Sequence, residues 1–443
     1  MVAAVPWAEA LAAKLGRPVD SMHLLPGGAS KEAWAVAAGG ERLLVRRALG
    51  GVIHEATLPM EHEFQVLEAA REAGVKVPRP VAYLGELGGR EAFAMEFVEG
   101  ETIGRRIVRN PPDGLVLQLA EELAKIHAIR PDRLPFLRSG DILGRFEHEL
   151  DSVGEPHPAI EYGLWWLREN RPEPLPDVVS HGDFRIGNVV VSERGLEYLL
   201  DWEFAHLSDP REDVSWPIVR AWRFGANERR LGGVGEPGPY LERYEQLTSR
   251  EISEDDLAWW EVLGNVKWAV GCLTQCRRHL TGLDRSVEYA VLGRMAAEME
   301  YELLTLIDKA PLAAPFSGRA GLPARPSAPL ARRHEIERLG ATHDRPTAPE
   351  LIEAVFEFLA GELLPTLDDH RLKFRTLVAM NALAIARREL EASNNLLLSH
   401  EDVTELARRI RAGEPPDDAL PLLNEHVAAK LRISNPAYLE KYE

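Results

Sequence analysis

The segment from His181 to Asp213 constrains the fold of this chain more than any other part of it. It opens with the residues HGDFRIGN, which place Asp183 five positions before Asn188. An apolar strand, a turn and a second apolar strand then lead to Asp201, in the sequence DWEF. An acid, an amide five residues later and a second acid at the end of a hairpin form the arrangement that phosphoryl transfer from a nucleotide requires. The pattern predicts Asp183 as the catalytic base, and Asn188 and Asp201 as ligands of a Mg²⁺ ion.

Each of these residues alone has an ordinary structural explanation. A single aspartate before a loop commonly caps a helix or forms a turn, and the same holds for a single asparagine between strands. The combination of spacing and predicted hairpin context favours the catalytic interpretation.

With its His-Gly-Asp opening, the segment resembles the catalytic core of the aminoglycoside phosphotransferase superfamily, which has the fold of the protein kinases. The run HGDFRIGN, followed by LLDWEFAHLSDPREDVSW, is similar to the phosphotransferase group associated with acyl-CoA dehydrogenases. The resemblance covers about residues 20 to 305. It implies ATP and Mg²⁺ as cofactors, and His181 as a catalytic-loop residue that positions the loop and does not carry a proton. It also implies that Asp213 supports this loop from below; a carboxylate at the start of the next helix can act as an N-cap as well, and the two roles are compatible.

The expected fold is α+β and bilobal, as in protein kinases. An antiparallel five-stranded small lobe with one helix precedes a mostly helical large lobe, and an additional all-α domain follows. A stretch rich in Pro, Ala and Gly predicts a linker before that domain. The predicted domains are a small lobe over 1–98, a large lobe over 99–309, a linker over 310–346 and a C-terminal helical domain over 347–443.

Two segments of the small lobe are candidates for holding the nucleotide. The first is a small-residue turn with Gly27, Gly28 and Ser30, which could cover the phosphates or be an ordinary β-turn. The second is the end of the last small-lobe strand, where the backbone at Glu96 and Phe97 would contact adenine in this fold.

Arg46 occupies the strand position at which kinases usually carry a lysine. Strand alternation places it on the face opposite Val45, and an arginine stays charged and can grip phosphate with two hydrogen bonds. Related small-molecule kinases with this motif also have arginine there. The expected carboxylate partner is Glu63 on the following helix, with Glu61 as the alternative.

Composition excludes several other classes. The 443 residues carry a net charge of −18, which disfavours a broad nucleic-acid surface. No apolar run reaches membrane-spanning length, and the N-terminus has no basic flank of a secretory signal. The only cysteines, Cys272 and Cys276, are expected to be reduced thiols, which suits a cytoplasmic location.

The sequence leaves three functions open. The first is an ATP-dependent small-molecule kinase acting on a hydroxyl, with a hydroxyacyl thioester of the coenzyme A type as one acceptor. The second is aminoglycoside phosphorylation, which a basic group at Arg277, Arg278 and His279 near the acceptor would oppose. The third is a nucleotide-binding regulatory protein without turnover, supported only by Arg46. The C-terminal helices carry apolar stripes that are expected to pack on the large lobe or across a homodimer interface.

Overall fold

The computed structural model describes residues 5–25, 31–49, 57–283, 285–309, 348–392 and 398–441. They fall into two compact units, the first made of 1–141 and 172–264 and the second of 142–171 and 265–443. The turn with Gly27, Gly28 and Ser30 lies outside the described residues, as does the predicted linker. The four domain ranges given above stay predictions.

In the first unit, five antiparallel strands form one sheet, in which the third strand along the chain lies between the second and the fifth and the fourth lies at an edge. This sheet confirms the expected small lobe, and the helical remainder of the chain confirms the α+β class. The strands and the short helix that precedes them are α1 (Ala8–Leu15), β1 (Val19–Leu24), β2 (Lys31–Ala38), β3 (Glu41–Ala48), β4 (Pro80–Glu86) and β5 (Glu91–Glu96).

The helix α2 (Met60–Glu72) connects β3 to β4 and packs on the sheet. It follows Pro59 and carries two acidic residues in its first turn, where the helix dipole favours negative charge. Phe64 and Leu67, one turn apart, are both buried, and Phe64 packs against Phe93 of β5 at a ring distance of 5.8 Å. The apolar face thereby fixes the rotation of α2 and directs Glu63 inward.

The rest of the first unit is mostly helical, apart from two small antiparallel strand pairs, Val178–Ser180 with His206–Ser208 and Val189–Ser192 with Gly195–Leu199. Its elements are α3 (Gly104–Arg109), α4 (Leu115–His127), β6 (Val178–Ser180), β7 (Val189–Ser192), β8 (Gly195–Leu199), β9 (His206–Ser208), α7 (Arg211–Ser215) and α8 (Pro237–Thr248). The apolar pattern over 216–223 predicts one helix, but the structure has two short 3₁₀ turns there, Trp216–Ile218 and Arg220–Arg223. They are separated by Val219, whose ψ of 132° is extended and interrupts a helix.

The second unit contains only helices among its described residues. They are α5 (Ile142–Val153), α6 (Pro158–Glu169), α10 (Val287–Lys309), α11 (Ala348–Phe358), α12 (His370–Glu391), α13 (His400–Arg411), α14 (Ala419–Ser434) and α15 (Pro436–Leu439). A long helix, α9 (Glu254–Leu280), has residues in both units. None of the described helices is long and apolar enough to span a membrane.

Ion pairs with buried carboxylates attach the C-terminal helices to α6 and α10 inside this unit. Arg411 of α13 donates two hydrogen bonds to Glu161 of α6, at 2.6 and 2.7 Å. Lys430 of α14 pairs with Glu300 of α10, a carboxylate that is only 1% exposed. Although burial opposes ionisation, Lys430 and then His157 lower the pKa of Glu300 to about 2. The C-terminal helices therefore share a polar core with helices that the sequence assigned to the large lobe.

Candidate active site

The loop that carries Asp183 can be built only with glycine before it. Gly182 has φ +78°, and a Cβ atom there would lie 2.2 Å from the carbonyl oxygen of Phe204. The backbone thus turns tightly against the segment that follows Asp201, which brings the two acidic residues of the motif onto neighbouring stretches of chain.

Asp213 supports this loop from beneath. Its Oδ2 accepts the N–H of His181 at 2.6 Å, and its Oδ1 accepts the N–H of Gly182 at 3.0 Å. The side chain is fully buried. Burial alone would raise the pKa of Asp213, but the hydrogen bond from His127 and the neighbouring imidazoles outweigh it and hold the pKa below its ordinary value. An ionised carboxylate is therefore tied to two backbone N–H groups of the loop.

His181 has the role of a positioning residue in this arrangement. Its Nδ1 accepts the N–H of Asp183 at 3.2 Å, so its Nε2 carries the proton and donates to the carbonyl oxygen of Leu200 at 3.1 Å. Burial lowers the pKa of His181, which favours this neutral ring. The imidazole thereby joins the loop of Asp183 to the residue before Asp201, and both of its nitrogens are occupied.

Three N–H donors hold the carboxylate of Asp183. Oδ1 accepts from Trp216 Nε1 at 2.7 Å and from Arg185 Nε at 2.8 Å, and Oδ2 accepts from Asn188 Nδ2 at 2.6 Å. The residue is 8% exposed. Donors on every side are what an ionised carboxylate requires, since it can only accept. The carboxylate is therefore fixed in orientation before any substrate arrives.

Arg185 is held by two contacts and fits into a space that Gly187 leaves open. Besides its bond to Asp183, its guanidinium lies 4.4 Å from the ring centre of Trp222. Its Nη1 lies 2.0 Å from the position that a Cβ on Gly187 would take. Because Gly187 has no side chain, the guanidinium of Arg185 has room beside it. This explains why the second glycine of HGDFRIGN occurs together with the arginine.

Asn188 and Asp201 offer the oxygen atoms for a metal ion. Because the amide nitrogen of Asn188 is engaged with Asp183, its Oδ1 is the atom left for a cation. Asp201 has φ +69°, a left-handed conformation that is uncommon outside glycine, and its N-terminal neighbour Leu200 donates its N–H to the backbone oxygen of Asn188 at 2.8 Å. Among the described residues, no group of three or more His, Cys, Asp or Glu side chains is arranged around a metal position.

Arg46 lies at this site and meets the predicted carboxylate. Its Nη1 is 3.7 Å from Glu63 Oε1, whereas both of its terminal nitrogens are 3.1 Å from Asp201 Oδ1. Burial would raise the pKa of Asp201, but the charges of Arg46 and Lys31 outweigh it and hold the pKa below its ordinary value. Both terminal nitrogens of Arg46 bond to Oδ1 of Asp201, so Oδ2 of this ionised carboxylate remains for a cation. The donor set therefore fits Mg²⁺ with bound phosphates.

A second cation, Lys31, was not anticipated as a site residue. Its Nζ pairs with Glu63 Oε2 and lies 2.7 Å from Glu203 Oε2, and its side chain is only 7% exposed. Burial raises the pKa of Glu203, an effect that the Lys31 charge partly offsets. Glu61, the alternative partner for Arg46, makes none of these contacts.

A small open cleft lies beside Met95, the residue before the predicted adenine segment. The N–H of Glu96 donates to Arg79 O at 2.9 Å and that of Phe97 to Arg42 O at 3.2 Å, so both N–H groups are already engaged within the sheet. The cleft is lined by Arg46, Glu63, Leu67, Pro78, Met95, Leu199, Leu200, Asp201 and Trp202.

The first unit thus brings together most of the predicted site, namely Arg46, Glu63, His181, Asp183, Asn188, Asp201 and Asp213. Arg277, Arg278 and His279 lie in the last turn of α9, in the second unit. Sequence reasoning missed Lys31, Arg185 and Trp216 as site residues. Arg185 and Trp216 stand inside the quoted motif, and Lys31 directly follows the small-residue turn. Their places in the sequence were the signal from which they could have been predicted.

Two family models match the chain. One, described as the phosphotransferase enzyme family, matches residues 21–247, which is more than half of the chain. The chain belongs to this phosphotransferase family. The second model, a domain of unknown function, matches residues 365–438 and so covers most of α12 to α15.

Two curated relatives of this phosphotransferase family member are much longer proteins. It is 25% identical over 232 residues to acyl-CoA dehydrogenase family member 10 of Mus musculus, an alignment that covers 44% of this chain and 21% of that protein. It is 26% identical over 217 residues to acyl-CoA dehydrogenase family member 11 of Gallus gallus, covering 44% and 27%. The chain thus spans about a quarter or less of the length of these relatives.

Solved structures support the fold. A candidate aminoglycoside phosphotransferase of Ralstonia eutropha superimposes with a TM-score of 0.55 at 20% identity, covering 69% of this chain and 99% of that one. Spectinomycin phosphotransferase, solved with ADP and spectinomycin, superimposes with a TM-score of 0.50 at 14% identity, covering 67% and 97%. At these identities the likeness shows the kinase-like fold, which was predicted from the catalytic segment.

Proposed function

We propose that this phosphotransferase family member is an ATP-dependent small-molecule kinase that transfers the γ-phosphate to a hydroxyl group. The observation that carries the proposal is the fixed carboxylate of Asp183, held by Trp216, Arg185 and Asn188. Phosphoryl transfer needs little covalent help from a protein, so a rigid base that aims the acceptor hydroxyl is the main requirement.

The remaining site residues would bind the metal ion, the phosphates and the adenine. Asn188 Oδ1 and Asp201 would hold Mg²⁺, which would neutralise charge on the phosphates when bound. Arg46 would contact the phosphates, with Glu63 beside it, and the carbonyl oxygens of Glu96 and Phe97 would face adenine. The roles of Gly27, Gly28 and Ser30 as phosphate cover stay predictions, as do all of these assignments.

For the acceptor, we propose a hydroxyacyl thioester or a comparable metabolite. The support is the sequence similarity to the two acyl-CoA dehydrogenase family members, over 232 and 217 residues. The fold neighbours do not favour aminoglycosides in particular, because their identity is below the level at which a substrate can be carried over.

The regulatory alternative without turnover rests on Arg46 in place of the usual lysine. Against it, the arginine is only 15% exposed and lies between Glu63 and Asp201, where it could contact a nucleotide. The three residues of the catalytic motif are all present.

The test is a turnover assay with purified full chain, ATP, Mg²⁺ and a panel of hydroxyl compounds that includes hydroxyacyl thioesters, amino sugars and simple alcohols. We expect metal-dependent ADP release that depends on the acceptor and is greatest for a thioester. Binding of nucleotide with no turnover across the panel would favour the regulatory alternative.

We also keep two wider proposals, a cytoplasmic location and a homodimer through the C-terminal helices. Large apolar side chains on α11 and α12 are half exposed in the described part of the chain, among them Leu351, Phe358, Leu372 and Phe374. Light scattering of the full chain over a concentration series tests the dimer.

A further inference from the structure

Two cations and three carboxylates form one cluster beside the cleft: Lys31, Arg46, Glu63, Asp201 and Glu203. Lys31, Glu63 and Glu203 are buried, whereas Arg46 and Asp201 are partly exposed. The first strand pair explains how the two cations come together. Lys31 lies opposite Ala48 and Ala33 lies opposite Arg46 in the register of β2 with β3. Since residues two apart in a strand share a face, Lys31 and Arg46 project from the same face of the sheet as diagonal neighbours.

The two cations have different surroundings. Lys31 Nζ contacts Glu63 and Glu203, and its side chain is 7% exposed. Arg46 lines the cleft, is 15% exposed and contacts Glu63 only at 3.7 Å. Lys31 therefore sits at the centre of the carboxylates, while Arg46 faces the space where a ligand would lie.

We propose that Lys31 is a positioning residue for nucleotide binding: it takes over the pairing with the helix carboxylate Glu63, also holds Glu203, and so leaves Arg46 for the phosphates. The inference deepens the proposed function and rests on it. It explains why an arginine suffices on β3: the ion pair that ties the sheet to α2 is supplied from β2 instead.

Charge accounts for the consequence of removing Lys31. With all five groups ionised, the cluster has one excess negative charge, which a bound metal ion can compensate. Without Lys31 the excess doubles, and Arg46 becomes the remaining cation within 4.0 Å of Glu63 among the described residues. Arg46 would then be drawn toward Glu63, and a polyanionic nucleotide would meet a more negative site.

The experiment measures ADP binding by calorimetry on the full chain, once with EDTA and once with Mg²⁺. We expect Lys31→Met to weaken ADP affinity at least about tenfold in EDTA, which corresponds to 1.4 kcal/mol. Lys31→Arg should stay within about threefold of the parent. Glu203→Gln placed in the Lys31→Met background removes the surplus charge and should restore affinity to within about threefold.

Lys125→Met is the matched control. This lysine also pairs with a buried carboxylate, Glu122, at 2.6 Å, but belongs to α4 and not to the cluster. It should leave ADP affinity unchanged while the melting temperature reports any general loss of stability.

Parent-like ADP affinity in folded Lys31→Met overturns the inference, as does a loss that Glu203→Gln fails to restore. If Lys31→Met alone does not fold, the charge-balanced double variant carries the test, and weak binding by that variant, once folded, also overturns the inference. A parent protein that binds ADP yet phosphorylates no acceptor overturns the proposed function alone, because the binding measurement uses no acceptor.

Discussion

Replacing Asp183 by asparagine changes one carboxylate oxygen into an amide NH₂ group. The hydrogen-bond donors around the carboxylate determine which of the two oxygens it replaces. Oδ1 accepts two N–H groups, from Trp216 and Arg185, so the asparagine oxygen is retained there. Its NH₂ group then takes the place of Oδ2 and faces the NH₂ group of Asn188, whose nitrogen is 2.6 Å from the present oxygen. Two donors cannot bond to each other.

The variant has two ways to relieve this contact. One donor can stay unpaired, which costs roughly 1–3 kcal/mol in a buried site. Otherwise the amide of Asn188 rotates to present its oxygen to the new side chain, which withdraws Oδ1 from the metal position. In both cases the charge that aims the acceptor hydroxyl is lost.

We therefore expect Asp183→Asn to lower kcat by on the order of 10²- to 10⁴-fold, or about 2.7–5.4 kcal/mol of barrier. ADP affinity in EDTA should stay within about twofold, whereas the gain in affinity from Mg²⁺ should shrink. Turnover is followed as ADP release with the best acceptor, and binding by calorimetry. Asp132→Asn, at an exposed aspartate paired with Arg130, is the control.

A kcat close to that of the parent would refute the assignment of Asp183 as the base. An equal loss of metal-free ADP affinity would refute the geometric reasoning, because it would mean that Asp183 holds the nucleotide itself.

Three further variants test other parts of the site. Asp201→Ala should reduce the Mg²⁺-dependent part of nucleotide affinity at least about tenfold, measured by calorimetry, and unchanged metal dependence would make Asp201 purely structural. Gly187→Ala should displace the Arg185 guanidinium and so lower kcat by up to about 100-fold, with little change in melting temperature. Parent-like turnover would show that Arg185 does not contribute to catalysis. His181 is neutral in the fold because its pKa is below the ordinary 6.5, so the stability it contributes is complete above that pH and is lost as the pH falls below it. The melting temperature of His181→Gln should accordingly depend less on pH between about 5 and 7 than that of the parent, and identical slopes would contradict this.

Much of the fold was predictable because the relevant signals are local. The five strands and α2 follow from alternation and helical periodicity, and the loop around Asp183 follows from a motif whose glycines are required by contacts at Phe204 and Arg185. The 3₁₀ turns after α7 were missed because the apolar pattern across Pro217 suggested one continuous helix.

The partners of the charged residues were less predictable than their positions. Lys31 was overlooked because a strand sequence does not show whether Lys31 or Arg46, which lie on one face of the sheet, reaches Glu63 on the helix. The choice depends on the register of β2 with β3 and on burial. Trp216 is buried, as a core tryptophan would be, but its N–H is directed at Asp183 over a separation of 33 residues. Such long-range pairings follow from tertiary structure alone.

The most direct test of the central claim is to identify the phosphorus-containing product. Full chain, ATP, Mg²⁺ and the best hydroxyl acceptor are incubated and followed by ³¹P NMR, with Asp183→Ala in parallel. We expect a phosphate monoester resonance to grow with ADP in the parent and not in the variant. Inorganic phosphate as the only product, or an equal rate of ester formation in Asp183→Ala, would contradict a kinase that uses Asp183 to aim a hydroxyl.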